Sequence, residues 1–322
     1  MKSAIKQGYT VAGIGELLWD VLPEGKRLGG APANFALHAS ALGGQAAVVS
    51  SLGQDTNGLE ILRQLNHLHM STKFIQKNGH PTGWVDVEIN ENGHPAYVIH
   101  ENVAWDHIQF LPETRQLAKT CDAVCFGTLA QRNPVSRKSI EDFLAHTKKS
   151  CLCIFDINLR QHYYSRDIIK NSLEAATILK LNDEELEVLR EMFGLPGSTE
   201  SALSKILDHW SLDLIAFTQG SDGSIMINRK DVSCCPGIPV TIKDTIGAGD
   251  AFTAAMTMGK LYGLPLERIN RLAGKVAAYV CSQAGATPAL PDSLIHELKQ
   301  EMPIAIREIP AVSPVTRLRH SS

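Results

Sequence analysis

Residues 244–250 read Asp-Thr-Ile-Gly-Ala-Gly-Asp, followed by apolar residues of helical period at Ala251, Phe252, Ala254, Ala255 and Met258. Two glycines around a small residue let a backbone approach a ligand closely. The first amides of a helix lack internal partners, and the helix dipole makes that end positive. The amides of Gly247, Ala248 and Gly249 are therefore candidates to hold a developing anion, such as a transferring phosphoryl group. Asp250 falls in the first helical turn, where a carboxylate is expected to stay ionised. From there it can accept a hydroxyl proton as that oxygen attacks a γ-phosphate. The competing reading is a strand-to-helix turn whose aspartate only caps the helix.

A second signal is Thr218-Gln-Gly220-Ser221-Asp-Gly223, directly after an apolar run. Its glycines permit a tight loop at a strand's carboxyl end, where open α/β sheets place ligands. Loop amides and the hydroxyls of Thr218 and Ser221 can reach nucleotide phosphates. A plain turn between antiparallel strands fits the same residues, because 224–228 also reads as a strand.

Nearer the N-terminus, Asp20 precedes Gly29-Gly30-Ala-Pro-Ala-Asn34, which opens a helix. An aspartate and an asparagine beside a Gly-Gly turn suit a polyol, whose hydroxyls need both donors and acceptors. Alternatively, Asn34 caps the helix and Asp20 is a solvated strand residue. Asp156-Ile-Asn-Leu-Arg160 ends another strand, and Arg160 can clamp an anionic oxygen. Asn182 and Glu185 begin a helix, either as a cap and a first-turn acid or as a site holding Mg²⁺ through water.

Other designs are excluded. Gly53-x4-Gly58 is followed by Leu-Glu, so it is not a P-loop, and Gly13-x-Gly15 lacks the third glycine of a dinucleotide fingerprint. The strings of protein kinases do not occur, and the 12 histidines show no zinc-ligand spacing.

These residues need a scaffold. Apolar runs at 11–15, 46–52, 123–128, 152–156, 177–181, 214–218 and 224–228 read as strands. Amphipathic stretches at 31–43, 58–69, 135–147, 183–193 and 200–209 read as helices between them. The alternation predicts an α/β fold with a mostly parallel sheet flanked by helices. Segments 83–89 and 96–100 alternate around a polar turn at 90–93, a β-hairpin that either covers a site or is a plain edge hairpin without function. Beyond residue 245 the chain reads as helical, at 248–262, 266–284 and 292–299, and residues 303–322 read as a strap or tail.

Composition bounds the partners. A net charge of −3 offers no field for nucleic acid or anionic lipid. No apolar run reaches the length of a membrane span, and no signal core opens the sequence. Seven cysteines, an odd number without a Cys-x-x-Cys, read as buried reduced thiols, Cys234 and Cys235 included. The expectation is a cytoplasmic protein.

Taken together, residues 11–291 resemble the ribokinase-like (PfkB) carbohydrate kinases. Gly29–Asn34 looks like that family's N-terminal signature and Asp244–Asp250 like its C-terminal one. Asn182 to Glu185 resembles its metal and phosphate motif, Thr218 to Gly223 its ATP loop, and Gly285-Ala286 its late nucleotide and monovalent-cation segment. The resemblance implies one kinase domain over 1–302, with a small β-sheet lid from about 16–28 and 83–104. It implies ATP and Mg²⁺ as cofactors, with Asp250 as base and the 247–249 amides as anion hole. Asp20, Gly30 and Asn34 become sugar ligands, and Asp244, Ile246 and Gly285 lie near a K⁺. Segments 15–20, 127–132 and 156–160 look most like fructokinases. Kinases of ribose or 2-keto-3-deoxygluconate, or a sugar sensor without turnover, are the alternatives. Exposed lid strands invite pairing into a homodimer.

Overall fold

The computed structural model describes residues 8–89 and 95–301. In chain order the first strands are β1 (Thr10–Ile14), β2 (Leu18–Leu22), β3 (Gly25–Gly29), β4 (Gln45–Gly53), β5 (Ile75–Asn78), β6 (Gly83–Ile89) and β7 (Pro95–Ile99). They continue as β8 (Ala123–Phe126), β9 (Leu152–Asp156), β10 (Ile178–Asn182), β11 (Leu214–Thr218), β12 (Ser224–Ile227) and β13 (Val232–Cys235).

Nine strands form one sheet in the order β13-β12-β11-β10-β9-β8-β1-β4-β5. The pairs from β11 to β5 are parallel, and β12 and β13 add antiparallel at one edge. Successive residues face opposite layers. Val11, Ala123, Ile154, Ile178 and Ala216 pack with the helices Ala248–Leu261 and Leu266–Cys281. Ala12, Val124, Phe155, Leu179 and Ile215 enter the opposite core. This two-sided cover is why the strands read as apolar throughout. Each large apolar side chain buried here contributes about 1.5–3 kcal/mol relative to exposure. The strand order reverses between β1 and β8, which opens a crevice at the carboxyl ends of the strands.

The other four strands form a second, smaller sheet in the order β3-β2-β6-β7. Its register sets Asp20 opposite Arg27 and Leu18 opposite Gly83. A Cβ on Gly83 would lie 2.2 Å from Trp105 Nε1, so the glycine lets that indole close beneath the sheet. Arg132 stacks 4.1 Å from the Trp105 ring centroid and pairs with Asp106 at 2.8 Å. It therefore fixes the base of the sheet.

The expected α/β architecture with a second small sheet is what the chain adopts. The hairpin strands are β6 and β7, whereas the turn at 90–93 and the segment 303–322 lie outside the described residues. One strand, β5, and two helices, Pro112–Thr120 and Arg166–Ala175, were not anticipated. Their polar sequences bury only a few side chains, such as Thr114, Leu117 and Ala118 in the first of those helices. The cysteine expectation is corrected at three positions. Cys121, Cys125, Cys151 and Cys153 are buried, but Cys235 and Cys281 are only half-buried, and Cys234 is exposed because it sits on the edge strand β13. Among the described residues no helix is long and apolar enough to cross a membrane.

Candidate active site

Gly30, at φ 108°, is the N-cap of the Ala31–Ala41 helix. A Cβ there would lie 2.3 Å from the Glu16 carbonyl, so only glycine fits. Asn34 consequently falls inside the helix and not at its cap. Its Nδ2 donates to Asp250 Oδ2 at 2.9 Å across 216 residues of sequence. Its Oδ1 is buried with no hydrogen-bond partner among the described residues, as is Glu16 Oε2. A buried polar atom without a partner is costly, and a ligand hydroxyl would satisfy it.

The other half of the site is the 244–250 turn. Gly247 is the left-handed N-cap of the Ala248–Leu261 helix at φ 79°, and a Cβ on it would meet the Ala286 carbonyl at 2.3 Å. Of the three amides expected to be free, that of Ala248 donates to the Thr245 carbonyl at 3.3 Å. Asp250 is corrected more sharply. The helix terminus was expected to keep its carboxylate ionised. Instead burial, reinforced by the Asp156 charge, raises its pKa from 3.8 to about 7, against the opposing pull of Asn34, Lys180 and Arg160. Removal from water is the largest cause of the shift.

Asp156, at the end of β9, is ion-paired with Lys180 at 3.2 Å; their side chains are 7% and 8% exposed. Asp156 Oδ2 also accepts from the Thr253 hydroxyl at 2.8 Å. A Cβ on Gly249 would lie 3.1 Å from Lys180 Nζ, so the ammonium sits directly beneath the glycine turn. Burial pulls the Lys180 pKa down, but Asp156, Glu185 and Asp250 outweigh it and hold the lysine charged. Sequence reasoning passed over Lys180. Its signal was a lysine inside the otherwise apolar Ile178–Leu181 run, which needs a buried partner.

Asp20 is half-buried and its pKa is raised to about 6, by burial first, with Arg160 opposing and Asp244 adding. It is therefore not a freely solvated strand residue. Arg160 carries charge near Glu16, Asp20 and Asp250, yet its side chain is exposed, and its Nη1 donates to the Leu159 carbonyl at 3.0 Å.

On the remaining flank, Asn182 and Glu185 form a reciprocal capping box. Glu185 Oε2 accepts from the Asn182 amide at 2.8 Å and Oε1 from the Leu159 amide at 3.1 Å. Residues 220–222 make a short 3₁₀ turn between the antiparallel strands β11 and β12. The turn reading is thus realised, still at a strand's carboxyl end. Gly223, at φ 105°, packs against the Cys235 carbonyl. Asp244 Oδ1 accepts from the Ile246 amide and Oδ2 from the Gly285 amide and the Arg27 guanidinium, each at 3.0 Å. Asp244 is therefore already engaged by a cation of the protein's own.

Residues 20–293 match the family model of the pfkB family carbohydrate kinases. The chain belongs to this family. An uncharacterized sugar kinase from Pyrococcus horikoshii is 30% identical over 316 residues, covering 91% of this chain and 97% of that one. The structure of that protein in complex with ATP superposes with a TM-score of 0.75 at 26% identity, covering 93% of this chain and all of the other. An ATP-dependent 6-phosphofructokinase of Thermoanaerobacterium thermosaccharolyticum is 28% identical, with 88% and 91% covered. A fructokinase of Escherichia coli is 25% identical, with 86% and 95% covered. The chain is thus a sugar kinase of an ATP-using family with the ribokinase-like fold.

Proposed function

We propose that this kinase transfers the γ-phosphoryl group of ATP to a hydroxyl of fructose, with Asp250 as general base. One observation carries the site assignment. The Asn34–Asp250 contact at 2.9 Å joins the Gly-Gly helix start to the glycine-turn helix, and Asn34 Oδ1 has no partner among the described residues. A polyol supplies the hydroxyls such a cradle lacks. In this reading Asp20, Gly30, Asn34 and Arg160 hold the sugar, and a hydroxyl presented to Asp250 loses its proton as it attacks. The amides of Gly247 and Gly249, with Ala248 less available, receive the developing charge, and Lys180 beneath them adds a positive field. Asn182, Thr218, Gly220, Ser221 and Gly223 flank the nucleotide. The small sheet serves as a lid that keeps water from the γ-phosphate.

Mg²⁺ neutralises phosphate charge in this chemistry. Among the described residues no three His, Cys, Asp or Glu side chains gather as metal ligands. Glu185 spends an acceptor position of each oxygen on a backbone amide, so it suits the ion only through water. Mg²⁺ commonly keeps several waters, and Asn182 with Glu185 is the pair that would orient them.

The fructokinase-like segments 15–20, 127–132 and 156–160 support fructose. The 6-phosphofructokinase relative makes a phosphorylated sugar the second reading. The test is ADP release with Mg·ATP across fructose, fructose 6-phosphate, ribose and 2-keto-3-deoxygluconate. The expected result is the highest kcat/KM for fructose. A higher value for any other sugar replaces fructose as substrate, and saturable sugar binding with no ADP release for any of them leaves only a sensor.

A further inference from the structure

Asp244 is the acid just before the glycine turn, and its carboxylate organises two segments. Oδ1 holds the Ile246 amide and Oδ2 the Gly285 amide, while the amides of Lys243 and Asp244 both reach the Cys281 carbonyl. The turn at 244–249 is thereby tied to the segment at 281–286. Such a carboxylate also places a negative charge beside the position proposed for the transferring phosphoryl group. That charge must be balanced for an anion hole to work.

The balancing charge comes from the second sheet. Arg27 Nη1 lies 3.0 Å from Asp244 Oδ2, with the two side chains 35% and 15% exposed. The aliphatic stem follows, since a Cβ on Gly285 would lie 4.0 Å from Arg27 Cδ. The second Arg27 nitrogen, Nη2, pairs with Glu24 at 3.0 Å. Another oxygen that could have faced a cation is also engaged. The buried His38 ring lies 2.9 Å from the Ala286 carbonyl, and burial lowers its pKa, so the neutral ring donates its Nε2 proton. A bare monovalent cation needs several oxygens free to replace its water, and here the central carboxylate already holds a guanidinium.

We propose that Arg27 is this chain's built-in replacement for a monovalent cation at Asp244. The proposal rests on the sugar-kinase reading of the site. Its geometry adds a consequence. Arg27 is the register partner of Asp20, so the strand pair that brings an acid to the sugar also brings a cation to the phosphoryl side. Movement of the small sheet away from the crevice separates Arg27 from Asp244 and leaves the glycine-turn carboxylate uncompensated. Closure of the sheet and completion of the anion site then become one event.

The experiment compares K⁺ with tetramethylammonium at equal ionic strength, reading both sugar-dependent ADP release and the thermal midpoint without nucleotide. Wild type is expected to give the same rate and midpoint in both salts. Arg27→Met is expected to lose about tenfold or more in tetramethylammonium, within the usual range for a coupling of this kind, and to recover in K⁺. Its midpoint is expected to rise on exchange into K⁺. Arg27→Lys, which keeps the charge, is expected to remain indifferent to the salt. A wild type that needs K⁺ overturns the proposal. So does a folded Arg27→Met that matches wild type in both salts, or one that K⁺ does not rescue. Sugar-dependent ADP release by wild type in either salt upholds the kinase reading whichever way Arg27 behaves.

Discussion

Asp250→Asn is expected to lower kcat by about 10²–10⁴-fold, the usual cost of losing a positioned general base. ATP and sugar affinities, read by titration calorimetry, should change far less, because asparagine keeps an oxygen to accept from Asn34. Stability separates this from misfolding. The folded-state pKa of Asp250 is raised from 3.8 to about 7, so ionising it opposes folding. That cost is absent below the unfolded value and fully present above about pH 7. The asparagine variant, which cannot ionise, should therefore melt no lower than wild type at pH 8. A variant with wild-type kcat would remove Asp250 from the role of base.

The second large effect concerns Lys180. Its ion pair with Asp156 has both side chains at 8% exposure or less. Removing one member of such a pair strands a buried charge and costs about 3–5 kcal/mol. Lys180→Met should show this as a lower urea midpoint, with the Asp250 pKa pushed further up because an opposing cation is gone. Asp156→Asn removes a raising charge, so it should move the acid limb of kcat/KM the other way, to lower pH. The double variant should lose less stability than the two single losses added together, since neither charge is then stranded. Full additivity, or a Lys180→Met midpoint equal to that of wild type, would show that the pair carries no coupling.

Much of the fold was legible because the parallel strands are buried on both faces. Runs such as Ala123–Phe126 and 152–155 are continuous and apolar, and polar caps separate them from the helices. Strand β5, reading Ile-Gln-Lys-Asn, carries no such pattern, because its edge position buries little. The Asp244–Asp250 and Gly29–Asn34 strings marked the two halves of the site, since a glycine forced by close backbone approach leaves a signature in residue type. The ionisation of Asp250 left none. It depends on how thoroughly the folded chain removes water and on Asp156, which lies far away in sequence. Lys180 and Arg27 were passed over for a related reason. A single basic residue on a strand reveals its purpose only when folding brings Asp156 or Asp244 to it.

The Asp250 assignment is tested most directly by the pH dependence of wild-type kcat/KM with saturating Mg·ATP and limiting sugar. The groups facing Asp250 are Asp156, Lys180, Arg160 and Asn34, and with burial they set its pKa near 7. A base must be unprotonated to act, so kcat/KM should fall on the acid side through an apparent pKa of about 7. Asp250→Asn should have lost that limb. A wild-type profile flat from about pH 5 to 8, or the same limb surviving in Asp250→Asn, would contradict the assignment of Asp250 as proton acceptor.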